Sequence, residues 1–175
     1  EIIVTLADAE NGAQLVAYDE AGNQVVASEP IGQGNRWRNQ LAVGAFGPNG
    51  ELELADVRTP HLSGTVEFFQ VEGDRLVRVG AVSGYTSHVI GSPNLDMGIA
   101  GDFDGSGRPE LMMPIFERTA LVGIERIEAE PGAAEVWRVE LPGRLTTNVW
   151  AVGRTDGRIM VAVGTDRGIL RVWER

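Results

Sequence analysis

Asn39-Gln-Leu-Ala-Val-Gly44, Asp96-Met-Gly-Ile-Ala-Gly101 and Asn148-Val-Trp-Ala-Val-Gly153 are three versions of one segment. Each opens on Asn or Asp, runs through mostly small or apolar residues and ends in Gly. Gly44 and Gly101 lie 57 residues apart, Gly101 and Gly153 52. The residues after each Gly repeat as well. Residues 45–54 (Ala-Phe-Gly-Pro-Asn-Gly-Glu-Leu-Glu-Leu) align without a gap on 102–111 (Asp-Phe-Asp-Gly-Ser-Gly-Arg-Pro-Glu-Leu), and 154–161 is a shortened version. Glu1-Ile2 matches Glu53-Leu54 and Glu110-Leu111, so a fourth copy is entered part-way through.

After each turn come three stretches with strand character. In the second copy these are 52–57, 65–71 and 76–82; in the third they are 111–116, 120–127 and 135–141. Short turns at 72–74 and 131–132 separate them, as in antiparallel hairpins. A unit of four short strands in roughly 50–60 residues is the size of a propeller blade. A β-sandwich would explain the strands but not the period. The expected fold is therefore all-β, a β-propeller of four-stranded antiparallel blades. The expected divisions are a partial blade 1–38, blades 39–95 and 96–147, and a partial blade 148–175. A fragment of a larger ring is the preferred reading, with a small ring of unusual closure as the alternative. The small Gly-ended strand suits the inside of a ring, and Phe68, Phe69, Trp137 and Trp173 suit the widening space between blades.

Composition agrees. The 175 residues include 23 Gly and 8 Pro spread along the chain, and 43% are hydrophobic. Frequent turns between apolar stretches mark an all-β chain. The formal net charge of -10 disfavours nucleic acid and anionic membrane surfaces. All fifteen basic residues are Arg, read here as genomic bias. No Cys is present, which excludes disulfides, thiolate metal sites and cysteine nucleophiles. No apolar run approaches the ~20 residues of a membrane helix. The chain opens on Glu1 rather than Met, from which an upstream segment removed by processing is expected.

The stretch 102–110 carries the clearest chemistry. Asp102, Asp104, Ser106, Arg108 and Glu110 occupy loop positions 1, 3, 5, 7 and 9. Calcium takes six to eight oxygens in a flexible shell. Three carboxylates, the Ser106 hydroxyl and the Arg108 backbone carbonyl are the expected ligands. Gly105 and Gly107 allow the backbone to turn that tightly. The second copy has Ala45, Gly47 and Asn49 where the third has Asp102, Asp104 and Ser106, and the fourth keeps only Asp156; these are expected to be structural turns. An EF-hand does not fit, because position 12 is Met113 and the flanks are strands.

The string Gly-Asp-Phe-Asp-Gly-Ser-Gly-Arg-Pro-Glu-Leu (101–111) resembles the calcium motif of FG-GAP/VCBS repeats. Such repeats build the propeller of integrin α-subunits and of many secreted bacterial proteins. Through the repeat, the resemblance extends over essentially the whole chain, although one copy alone has the full ligand set. It implies a calcium ion with a structural role. The family usually has Asp or Asn at the position of Ser106, so the departure implies weaker affinity.

His61 and His88 fall in loops expected on the face opposite the calcium loop. Asn39, Asp96 and Asn148 start their inner strands there, and Arg58, Arg118 and Arg167 lie in the turns. A ligand, if bound, is expected near His61, His88 and Asp96. The blander expectation is that Asn and Asp satisfy backbone groups and that the arginines lock neighbouring blades. Trp37, Trp150 and Tyr85 would form a sugar platform if exposed; packing or cation–π stacking is the simpler expectation. No nucleophile elbow, phosphate loop or zinc motif is present. The expected function is a non-enzymatic binding or scaffold module in a secreted, periplasmic or surface protein of a bacterium. Its ligand would be protein or carbohydrate, and the rest of a propeller would be its neighbour. The alternative is a propeller enzyme acting on carbohydrate, with its site opposite the calcium loop.

Overall fold

The computed structural model describes every residue except Asn35, Ser63, Asp156, Gly157 and Arg175. Among the described residues the chain is all-β, fourteen strands and no helix, so no helix is long and apolar enough to cross a membrane. The strands come in four consecutive antiparallel meanders. The first holds β1 (Ile2–Asp8), β2 (Gly12–Tyr18) and β3 (Gln24–Ser28). The second holds β4 (Arg38–Gly44), β5 (Glu53–Arg58), β6 (Thr65–Glu72) and β7 (Arg75–Ser83). The third holds β8 (Ile99–Gly101), β9 (Glu110–Pro114), β10 (Ala120–Arg126) and β11 (Ala133–Glu140). The last holds β12 (Trp150–Gly153), β13 (Ile159–Gly164) and β14 (Leu170–Glu174).

The first two meanders share one seven-stranded sheet, ordered β1-β2-β3-β7-β6-β5-β4. They are joined by a short parallel contact, Ala27 opposite Arg75 and Ser28 opposite Leu76. The two edges of this sheet, β1 and β4, also come together, so it nearly closes on itself. The third and fourth meanders form sheets of four and three strands.

Each consecutive pair of meanders encloses an apolar core. Leu15, Ala17, Val26, Leu54, Phe69 and Leu76 fill the first interface. Phe46, Val57, Phe68, Leu111, Met113 and Ile124 lead the second. Phe103, Met112, Leu121, Val161 and Val163 belong to the third. Neighbouring residues on one strand serve different cores, Met112 one and Leu111 and Met113 the other, because side chains alternate across a strand. This explains why β9 and β10 are buried at every position. Strands covered on both faces read as continuous apolar runs.

The repeated Gly-x-Phe has a steric cause. Gly44 and Gly101 end β4 and β8, and Phe46 and Phe103 fold back over them into the cores. A Cβ at Gly101 would stand 2.9 Å from the Phe103 ring, and one at Gly44 3.2 Å from that of Phe46. At Gly153, with Thr155 two residues on, nothing among the described residues lies within 4 Å.

Of the three polar residues expected to start equivalent strands, only Asn39 lies within one. Asp96 and Asn148 precede β8 and β12. The backbone of Asp96 bonds outside its own meander instead: its N–H donates to Asn148 Oδ1 at 3.1 Å, and its carbonyl accepts from Val149 N at 3.0 Å. With those groups engaged by the next repeat, β8 begins three residues later.

Candidate metal centre

The register places the turns of the second and third repeats on the same frame. Gly44 opposes Glu53 and Val43 opposes Leu54; Gly101 opposes Glu110 and Ala100 opposes Leu111. Glu53 and Glu110 therefore occupy the same position, and both are buried. Their surroundings differ.

Glu53 is fully partnered. Arg126 Nε donates to its Oε2 at 2.8 Å, and Gln70 Nε2 to its Oε1 at 2.9 Å. The Arg126 guanidinium is itself buried and lies over the Phe68 ring. The turn above is closed by Glu51, whose carboxylate accepts from Asn49 N and Asn49 Nδ2. No further ligand is needed to satisfy this loop.

Among the described residues no arginine pairs with Glu110. Its Oε1 accepts from Phe103 N at 2.9 Å and from Trp137 Nε1 at 3.0 Å. Its Oε2 is buried without a hydrogen-bond partner among the described residues. Asp102, Asp104 and Glu110 each place a carboxylate oxygen within 4.8 Å of the others. Oxygens about 2.4 Å from one calcium ion can be no more than about 4.8 Å apart, a spacing these three carboxylates meet. Burial, chiefly, and the two neighbouring aspartates raise the pKa of Glu110, against the lowering hydrogen bonds from Trp137 and Phe103.

The loop geometry leaves capacity for a cation. Asp102 accepts from Gly105 N at 2.7 Å and from Gly107 N at 2.9 Å; Asp104 accepts from Ser106 N at 2.8 Å. Each Asp102 oxygen has a second lone pair beyond the one used. Gly105 and Gly107 sit at φ of 76° and 84° with nothing within 4 Å of a notional Cβ. Glycine is thus required there by backbone conformation, not by space. Ser106 is exposed and its Oγ accepts from Arg108 N at 3.3 Å. The Arg108 side chain turns back to the third meander, donating to the Arg126 carbonyl at 2.8 Å and lying 3.5 Å from Glu125.

Sequence reading missed Gly123 and gave Trp137 a packing role alone. They face each other across β10 and β11 at a bulge. A Cβ at Gly123 would stand 2.1 Å from Trp137 Nε1, so only glycine lets the indole cross β10 and reach Glu110. The second repeat has the reverse arrangement at the same bulge, large Phe68 opposite Gly80. The exchange of large and small partners was the available signal.

In the last repeat Ile159 stands at the glutamate position, opposite Gly153. Arg154 and Arg158 both pair with Glu174 there. Asp156 lies outside the described residues.

His61 and His88 do meet, edge to face with ring centroids 4.5 Å apart. They line a cleft of about 170 Å³ with Pro60, Thr86, Phe116 and Arg118. Desolvation lowers both pKa values; for His88 the His61 ring adds to the lowering and Asp96 opposes it. Asp96 lines a different cleft, about 520 Å³, bounded by Leu41, Gly98, Asn148 and Trp150 from three successive repeats. The three expected ligand residues therefore do not share one cleft.

The turn arginines are not equivalent either. Arg58 ends β5 and pairs with Glu67, whereas Arg118 holds Leu145 of the next segment through its side chain and backbone. Arg118 N also donates to Ile115 O within its turn, and in the turn of the last repeat it is Gly168 N, not Arg167, that makes the matching bond, to Thr165 O. Tyr85 is buried with its hydroxyl on Glu135, which removes it from any exposed platform; Trp37 and Trp150 are exposed. Arg38 stacks on Phe69.

Comparison with protein-family models, curated proteins and solved structures finds no match for this chain.

Proposed function

We propose that the chain is a calcium-stabilised β-propeller segment of FG-GAP/VCBS-type repeats, acting as a binding or scaffold module outside the cytoplasm. The observation that carries this reading is the contrast between Glu53 and Glu110. One buried carboxylate is neutralised by Arg126, and its counterpart keeps an unpartnered oxygen beside two aspartates. A divalent cation supplies at Glu110 what Arg126 supplies at Glu53. Burying an ionised carboxylate without compensation is costly.

Four relations support blades set around an axis. Successive meanders enclose cores between their faces. The first strands of the second and third meanders, β4 and β8, lie side by side. The last strands of successive meanders touch in parallel, β3 with β7 and Ala81 of β7 with Gly132. The edges β1 and β4 also meet.

Three carboxylates plus Ser106 in place of an acid favour affinity on the order of 10⁻⁴ to 10⁻³ M. Millimolar extracellular calcium keeps such a site at least partly filled and resting cytosol leaves it empty, which is the basis for the extracytoplasmic assignment. The ion ties the end of β8 to the start of β9 and serves structure, leaving ligand recognition to other surfaces.

Terbium luminescence tests the site directly. Trp137 donates to a ligand carboxylate, so excitation of its indole should sensitise bound terbium, and calcium should quench the emission by displacement. Absence of sensitised emission in the wild type, or its persistence in Asp104→Ala, would count against the site.

A further inference from the structure

Four of the fifteen arginines gather in one cleft of about 420 Å³ between the first and second meanders. Arg38 comes from β4, Arg58 from β5, and Arg75 and Arg78 from β7. In a chain of net charge -10 this is a local reversal of sign.

The carboxylates nearby are too few. Glu67 alone serves three guanidinium groups: Arg38 Nη1 at 3.1 Å, Arg58 Nε at 3.3 Å and Arg78 Nη1 at 2.9 Å. Asp56 takes Arg38 Nη1 at 2.6 Å. Three arginines thus face two carboxylates, leaving one positive charge over even with both acids ionised. Arg38 forms the floor, its side chain 4% exposed and its Nε–H buried without an acceptor among the described residues. Arg58 and Arg78 are half-exposed above it. At the rim Arg75 pairs with Glu29, and both are well exposed. Exposed pairs of this kind contribute little and exchange readily for another anion.

Guanidinium groups present paired N–H donors that fit the two oxygens of a carboxylate, phosphate or sulfate. We propose that this cleft binds a small ligand through an oxyanion group held by Arg58 and Arg78, with Arg75 leaving Glu29 to complete the clasp. The site is separate from the calcium loop and from the histidine cleft, and does not depend on either.

Calorimetric titration at fixed ionic strength tests it, using inorganic sulfate for a tetrahedral oxyanion and acetate for a planar one. At least one should bind saturably with one-to-one stoichiometry. Tighter sulfate binding assigns a sulfate- or phosphate-type group, tighter acetate binding a carboxylate. Arg75→Gln alters an exposed rim pair and should leave melting unchanged, and Arg78→Gln should lower it only slightly, because Glu67 keeps Arg38 and Arg58. Each should weaken binding about tenfold, in line with loss of a charge-assisted hydrogen bond. Arg144→Gln, exposed and elsewhere, should bind as the wild type does. The proposal is overturned if neither anion saturates, or if Arg78→Gln binds as tightly as the wild type.

Discussion

Replacing Arg126 by leucine should destabilise the chain far more than loss of one hydrogen bond would. Arg126 and Glu53 are buried on both sides of the pair, at 6% and 0% side-chain exposure, with 2.8 Å between Nε and Oε2. The pair joins the second meander to the third, 73 residues apart in sequence. Arg126→Leu leaves Glu53 buried with only Gln70 to hold it, and removes the guanidinium from above Phe68. Breaking a buried pair from one side costs about 3–5 kcal/mol. With a urea m-value of about 2 kcal/mol/M, the midpoint falls by roughly 2 M. Adding Glu53→Gln removes the stranded charge, and the double variant should recover about half of that loss or more. Urea unfolding of the wild type, both single variants and the double variant measures the cycle. A loss under about 1 kcal/mol for Arg126→Leu, or no recovery in the double variant, would mean that Glu53 is solvated or repartnered. The comparison of Glu53 with Glu110 would then lose its basis.

Gly123→Ala should cost about 1–3 kcal/mol by overpacking against Trp137, and should weaken calcium binding by displacing the donor that orients Glu110; urea unfolding and a calcium titration read the two effects. Burial raises the pKa of Asp56 from 3.8 to about 7, outweighing the neighbouring Arg38. The folded state therefore holds that proton more tightly than the unfolded chain does. The contribution is fully present below about pH 4 and is lost as pH rises through about 7, with a ceiling of about 4 kcal/mol. Asp56→Asn should flatten the stability profile between pH 5 and 8 relative to wild type, by about 1 kcal/mol or more; identical slopes for the two proteins would count against the burial of Asp56.

The repeat, the β class and the acidic loop were legible because they reside in local spacing. The Gly-ended segment, the aligned turns and the apolar runs of β9 and β10 all appear in contiguous residues. Partners supplied from far along the chain were not legible. Glu53-Leu54 and Glu110-Leu111 read alike, yet one glutamate meets Arg126 and the other Trp137. Bulges at Phe68/Phe69 and Gly123/Ile124 set which side chains face each other, and single-strand alternation cannot reveal them. The arginine cleft is hidden for the same reason: Arg38, Arg58, Arg75 and Arg78 belong to three strands, and only the meander brings them to one cleft. Asp96 looked like a strand start because its sequence matches Asn39, but its backbone is engaged by Asn148 and Val149.

Melting curves of wild type and Glu110→Gln, each with millimolar calcium and with chelator, put the metal centre to the most direct test. Glutamine keeps an oxygen for Phe103 N and Trp137 Nε1 and turns an amide donor toward the two aspartates. It removes the buried charge that the ion would otherwise neutralise. The wild type should melt higher with calcium; at a one- to tenfold excess over Kd, binding to the folded state alone adds about 0.4 to 1.4 kcal/mol. Glu110→Gln should melt higher than wild type in chelator and show no response to calcium. If calcium leaves wild-type melting unchanged, or Glu110→Gln responds to calcium as the wild type does, the loop is a turn that holds no structural ion.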